Sequence, residues 1–201
     1  MLGAIILAGG KGKRFHGKKQ FVKINGKVMW QYSYEKVKKF IDNEKNIVVV
    51  GIDVPAGKTR TQSVINGMKS LDKRTSRVVI LEAARPLVTE DQIQVLFNSI
   101  EPSVSFVMPL VNTVIRRDGG YLNRDELYEL LTPQAFDYKL LMNALETGKY
   151  YDLTDDTKIM FEEYGIKPTL IETGENLLKV TYQRDIPIIE QLLNKMEEDN
   201  K

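Results

Sequence analysis

The most chemically suggestive residues lie at the start of the chain. Leu7 to Arg14 read Leu-Ala-Gly-Gly-Lys-Gly-Lys-Arg, and Lys18 and Lys19 follow. Gly9, Gly10 and Gly12 let backbone N–H groups come close to phosphate oxygens, and a concave run of such donors holds anions. Arg14, Lys18 and Lys19 add full positive charge, of the kind that stabilises negative charge developing on a departing pyrophosphate. The chemistry on offer is the gripping of a polyphosphate by amides and cations.

Two familiar phosphate-binding patterns do not fit. The dinucleotide fingerprint G-x-G-x-x-G needs glycine where the chain has Phe15. A Walker A loop takes four residues between its glycines, whereas Gly51 and Gly57 enclose five, Pro55 among them, before Lys58 and Thr59. One extra residue disturbs so tight a cradle.

The elements that must position the loop read as alternating strands and helices. Gly3 to Ala8 is a short apolar run without alternation, as expected of a strand buried on both faces. A helix is predicted over Val28 to Phe40, a strand over Asn46 to Gly51, a helix over Gln62 to Leu71 and a strand over Arg77 to Leu81. Thr89 is a good N-cap for the next helix, with Glu90 and Asp91 in its first turn. Val104 to Met108 is a fourth strand. This order predicts a mostly parallel sheet with helices on both faces, and ligands in such sheets bind beyond the carboxyl ends of the strands. Leu110 to Arg117, Asp118-Gly119-Gly120 and Tyr121 to Arg124 then read as a hairpin arm. Helices are expected at Phe136 to Leu145, Thr157 to Tyr164 (with Thr154 capping) and Arg184 to Met196, and a strand at Lys167 to Ile171.

Composition narrows the class. A chain of 201 residues suits one domain, 1–201, around one substantial core. Net charge is +2, without the large basic excess of a nucleic-acid binder. No cysteine is present, which rules out disulfides and thiolate zinc sites and fits a reducing cytoplasm. His16 is the single histidine and cannot build a metal cluster. No apolar run reaches the roughly 18 residues of a membrane helix, and the N-terminus lacks the pattern of a signal peptide.

LAGGKGKRF followed by KKQF resembles the signature of the cytidylyltransferases that act on methylerythritol phosphate and ribitol phosphate. The remaining segments arrive in that family's order. GKTRTQSVINGM is similar to G-x-x-R-x-x-S-V-x-x-G, LEAARPLVT to D-A-A-R-P, and NTVIRR and NRDELYELLTPQAF to the arm and the T-P-Q-x-F after it. LTDDT is similar to T-D-[DE], and LLKVTYQRDI to N-I-K-[IV]-T-x-x-x-D. The resemblance covers nearly the whole chain. It implies a three-layer, Rossmann-like α/β nucleotidyltransferase fold of the glycosyltransferase-A kind, with a hairpin arm at about 110–124.

It also implies a reaction in which the phosphate of a small polyol phosphate attacks the α-phosphorus of CTP, giving a CDP-polyol and pyrophosphate with Mg²⁺ as cofactor. By the same resemblance Arg14 and Lys19 would hold the triphosphate, with Ala8, Gly9, Gly10 and Gly12 in the same loop. Gly57 and Ser63 would meet the cytosine, and Ala83 the ribose. Arg85 would sit behind that strand end. Thr113, Arg124, Thr132 and Lys179 would grip the acceptor phosphate, Arg124 from a neighbouring subunit of a homodimer.

The chain departs from the family at four places. Glu82 replaces the family's metal-binding aspartate. Leu177-Leu178-Lys179 replaces N-I-K after a loop about one residue short, leaving Glu175 or Asn176 as candidates for a second metal ligand. A helix and a strand are missing between NIVVVG and GKTR, and the arm is shorter. These changes fall partly on the acceptor and metal side. The expected activity is cytidylyl transfer to methylerythritol phosphate, ribitol phosphate or a related polyol phosphate. The alternatives are a CTP-binding module of the same fold with impaired catalysis, or a nucleotidyltransferase with another acceptor. Neither nucleic acid nor membrane is an expected partner.

Overall fold

The computed structural model describes residues 1–174 and 177–199. Its centre is a six-stranded sheet of β1 (Leu2–Leu7), β4 (Ile47–Val50), β5 (Arg77–Glu82), β6 (Ser103–Pro109), β9 (Tyr128–Asp137) and β10 (Thr169–Glu172), in the order β10-β6-β9-β5-β1-β4. β1 runs parallel to both β4 and β5, and β10 parallel to β6, while β9 is antiparallel to its neighbours. Two short hairpins stand outside it: β2 (Lys23–Ile24) with β3 (Lys27–Val28), and β7 (Val114–Ile115) with β8 (Tyr121–Leu122).

Alternation along the strands builds two separate cores, and hence three layers. Ala4 and Ile6 of β1, with Val79 and Leu81 of β5, face α1 (Met29–Lys38) and α3 (Glu90–Asn98) through Val37, Ile93 and Leu96. Ile5 and Val48, with Val78 and Ile80, face α2 (Arg60–Ser70), α4 (Tyr138–Glu146) and α5 (Asp156–Tyr164) through Val64, Met68, Leu141 and Ile159. Because both faces are covered, β1 reads as an unbroken apolar run. A third cluster joins α6 (Ile186–Asp199) to the N-terminal region, packing Ile189 and Leu193 against Phe15, Ile24 and Met29.

The alternating α/β architecture and the hairpin are as the sequence predicts, with helix ends corrected by their caps. α2 begins at Arg60, two residues early, because the Thr59 hydroxyl accepts from Gln62 N at 3.1 Å. Asp155, and not Thr154, caps α5 by accepting from Thr157 N at 2.9 Å. Asp137 caps α4, so that helix starts at Tyr138.

β9 is the element the periodicity did not reveal. Its sequence, YELLTPQAFD, carries Pro133, and proline within a run argues against a central strand because it has no N–H for the ladder. The structure absorbs it in an irregularity: β6 pairs Ser105 with Gln134 and then Phe106 with Leu131, skipping Thr132 and Pro133. At the opposite edge the missing helix and strand leave β4 as the last strand. There the Asp53 carboxylate accepts from Val49 N at 2.7 Å, and Gly51, at φ +100°, turns the chain back so that its N–H reaches Val54 O. An outward-facing donor of this edge is thereby satisfied within the chain.

Candidate active site

Beyond the carboxyl ends of β1 and β5 lies a cleft of about 530 Å³. Its walls come from the loop after β1, the loop and first turn leading into α2, the end of β5, and the segment before α6. Seven basic side chains line it, namely Lys11, Lys13, Arg14, Lys19, Lys58, Arg60 and Lys179. Among the described residues lining the cleft, Glu82 is the sole carboxylate. That imbalance suits a polyanion.

The loop after β1 is shaped by its glycines, each for its own reason. A Cβ on Gly9 would stand 2.2 Å from the Cβ of Ala56. Gly12 has φ +60°, and a Cβ there would fall 1.7 Å from Gly17 O. Gly10 has no protein atom within 4 Å of where its Cβ would be, so that space opens on the cleft. Phe15, the residue that breaks the dinucleotide fingerprint, is buried in the third core cluster. Its burial, worth about 2 kcal/mol, anchors the far end of the loop, and its carbonyl accepts from Gln183 Nε2 at 3.2 Å.

Lys19 enters from a 3₁₀ turn (Lys19–Phe21) and donates to Val180 O at 2.5 Å. Burial, the nearby Lys179 and Arg14 lower its pKa to about 8, against the opposing pull of Glu82 and Asp185. Lys179 forms an ion pair with Glu82 Oε2, and Arg60 Nε lies 4.0 Å from Glu82 Oε1. Burial pushes the Glu82 carboxyl upward, but Lys179, Arg60 and Arg85 outweigh it and hold it below the usual carboxylate range. Ser63 is in the first turn of α2, where its hydroxyl accepts from Gly57 N at 3.0 Å and donates to Thr59 O at 3.0 Å. It therefore shapes the turn at Gly57.

The cleft brings together Ala8, Gly9, Gly10, Gly12, Arg14, Lys19, Gly57, Ser63, Glu82, Ala83 and Lys179 of the residues singled out from sequence. It does not include Lys18, which is exposed, nor Thr113, Arg124 or Thr132. Thr113 and Arg124 are exposed on the arm, where the Arg124 guanidinium donates to Val111 O. Thr132 is buried, and its hydroxyl accepts from Arg85 Nε at 3.0 Å. Arg85 also donates to Leu177 O, so it sits behind the strand end as expected and supports the loop carrying Lys179. Glu175 and Asn176 lie outside the described residues.

Sequence reasoning missed Arg60, which lines the cleft and pairs with the buried Asp156 across 2.7 Å. Its position within G-x-x-R-x-x-S was the only signal. Among the described residues no three acidic or histidine side chains converge on a metal. Mg²⁺, however, is commonly held by one or two carboxylates together with substrate phosphates. Glu82 at the rim of a polyanion cleft fits that mode.

A mostly parallel sheet with this amide-and-cation loop at its strand ends defines the chain as a nucleotidyltransferase. The family model of 2-C-methyl-D-erythritol 4-phosphate cytidylyltransferase matches residues 2–195. The enzyme of that name from Clostridium botulinum (strain 657 / Type Ba4) is 32% identical over 223 aligned positions, spanning 96% of this chain and 97% of the relative. The one from Thermotoga neapolitana is 30% identical over 220 positions, with the same coverage. The crystal structure of the Francisella tularensis 2-C-methyl-D-erythritol 4-phosphate cytidylyltransferase superposes with a TM-score of 0.76 at 25% identity, covering 94% of this chain and 98% of that one. The chain belongs to the 2-C-methyl-D-erythritol 4-phosphate cytidylyltransferase family.

Proposed function

We propose that the protein transfers CMP from CTP to 2-C-methyl-D-erythritol 4-phosphate and releases pyrophosphate. The observation that carries this reading is the joining, in one cleft, of the glycine-and-cation loop with Gly57, Glu82, Ala83 and Lys179 from four separate parts of the chain. The reaction is an in-line displacement at the α-phosphorus, in which the protein chiefly orients two anions and neutralises charge.

Arg14 and Lys19 hold the triphosphate and meet the charge that grows on the leaving pyrophosphate. Gly10 contributes an open approach for a phosphate to the backbone, while Ala8, Gly9 and Gly12 set the loop's shape. Gly57, held by Ser63, faces the cytosine, and Ala83 the ribose. Lys179 takes the acceptor phosphate. Glu82 would be the carboxylate to hold Mg²⁺, which when bound would supply charge neutralisation and orientation. The arm delivers Thr113 and Arg124 to a neighbouring subunit of a homodimer, a role that fits the exposed apolar side chains Val111, Ile115 and Tyr121 on it. Thr132 acts through Arg85. Residues 1–201 work as one catalytic domain in the cytoplasm. Among the described residues no helix is long and apolar enough to cross a membrane.

The test incubates the protein with CTP, Mg²⁺ and methylerythritol, ribitol or glycerol phosphate, reading pyrophosphate release and product mass. The expected product is the cytidine diphosphate of methylerythritol. Release with ribitol phosphate alone would move the acceptor. CTP binding without release for any acceptor would leave a binding module.

A further inference from the structure

Parts of the TPQAF and LTDDT segments have no role in the reading above, yet the structure strings them together. Gln134, fully buried on β9, donates through Nε2 to Ser105 Oγ at 3.2 Å and to Asp155 Oδ2 at 2.9 Å. Asp155 thus caps α5 and is tied to the sheet, which fixes the next residue. Asp156 is wholly inaccessible, and its Oδ2 lies 2.7 Å from Arg60 Nη1. Arg60 crosses from there to the cleft wall, where its Nε faces Glu82 Oε1.

Neither oxygen of Asp156 has a well-aligned hydrogen bond, so the charge of Arg60 holds the pair against burial, which pushes the Asp156 carboxyl up. Buried pairs of this kind are weak stabilisers, and an apolar pair of similar size often does better. A buried polar group left short of hydrogen bonds asks for a reason beyond folding. Glu82 provides one. Its side chain is only 15% exposed, and one of its two cations, Lys179, is more than twice as exposed. If Lys179 turns to a substrate phosphate, Glu82 needs a partner anchored in the fold to keep its direction, with or without a bound ion.

We propose that Arg60 is a positioning residue for Glu82, and that Asp156, seated by the Gln134–Asp155 hydrogen bond, holds Arg60 in place while Lys179 exchanges between Glu82 and substrate. The proposal rests on the reading that Glu82 and Lys179 belong to the reacting end of the cleft.

The test pairs Arg60→Gln with Asp156→Asn, which removes both charges and leaves no buried ion unpaired. With CTP and methylerythritol phosphate, the double variant should keep its fold and lose kcat on the order of 10²-fold through misplacement of Glu82. Its KM for CTP should stay within about threefold. Arg60→Lys, which keeps a charge for Asp156, should fall between it and wild type. A folded double variant with wild-type kcat overturns the proposal. So does a loss confined to the KM for CTP, which would make Arg60 a nucleotide contact. If the double variant does not fold, a crystal structure of Lys179→Met decides. Glu82 still turned toward Arg60 supports the proposal, and Glu82 turned to solvent overturns it. An inactive wild-type protein would instead sink the functional reading itself.

Discussion

The two ends of the cleft are built by different means. One end is backbone: a loop whose path is set by Gly9 against Ala56, by Gly12 in a left-handed conformation, and by Phe15 locked in a core. The other end is side chain: Lys179 and Arg60 each face Glu82, and Arg85 braces the loop at Leu177. Backbone geometry depends on neighbours in sequence and is hard to alter piecemeal. Side-chain geometry depends on residues far apart and can change one pair at a time. Two of the four departures from the family pattern fall at the second end, on Glu82 and on the loop before Lys179, while the arm lies outside the cleft and the fourth is at the β4 sheet edge. The glycine-and-cation loop is intact.

The strongest way to break this contrast is Arg14→Ala. Arg14 is exposed and its neighbours fix the loop without it, so the melting temperature should hardly move. Losing a cation from the departing phosphates should still cost on the order of 3 kcal/mol of transition-state stabilisation, read as a fall in kcat of roughly 10²-fold. An unchanged kcat would show that the loop's amides suffice alone.

The glycines sharpen it next. Gly9→Ala forces a methyl into Ala56 and should destabilise the fold by about 2 kcal/mol, measured by denaturant melting. Gly10→Ala meets no protein atom and should leave stability within about 0.5 kcal/mol of wild type. It should nevertheless weaken CTP binding, measured by calorimetry, because the methyl occupies the phosphate's approach. Equal CTP affinity for Gly10→Ala and wild type would remove the backbone-cradle account.

The same division governs what could be read before the structure. The loop from Ala8 to Arg14 was legible because its chemistry sits in consecutive residues after an obvious strand. The caps at Thr89 and the hairpin turn at Gly119 were legible for the same reason. β9 was not, since Pro133 contradicts a central strand until one sees the ladder skip over it. Arg60 and Asp156 meet across 96 positions of sequence (156 minus 60), and no spacing rule joins them. Ser63 was legible as important, but its hydroxyl serves Gly57 and Thr59. Thr132 shares the fate of β9: its segment was noticed, while its burial beneath Arg85 depends on the irregular pairing.

Lys19 belongs to both ends, lining the cleft beside the glycine loop while donating to Val180 O near Lys179. Its pKa of about 8 makes that link sensitive to pH. Below that value the ammonium is charged and can pair with phosphates, and above it the amine is neutral. CTP affinity should therefore fall as pH rises, on the order of tenfold between pH 7 and 9 if the bound nucleotide keeps the lysine charged. Lys19→Arg should flatten the profile, because a guanidinium does not titrate in this range. A wild-type profile as flat as the variant's would place Lys19 off the triphosphate.

The smallest effect separates support from contact at Thr132. Thr132→Val keeps the shape of the side chain but removes the acceptor for Arg85 Nε. Arg85 would keep its bond to Leu177 O, so the loss should be that of one buried hydrogen bond to a charged donor, about 2 kcal/mol of stability. If Thr132 acts only through Arg85, the KM for the acceptor should change little and the CTP constants not at all. A KM for the acceptor raised tenfold or more, roughly the loss of one good polar contact, would require the threonine to reach the substrate directly. The loop at Leu177 to Lys179 would then have to open far enough to uncover it.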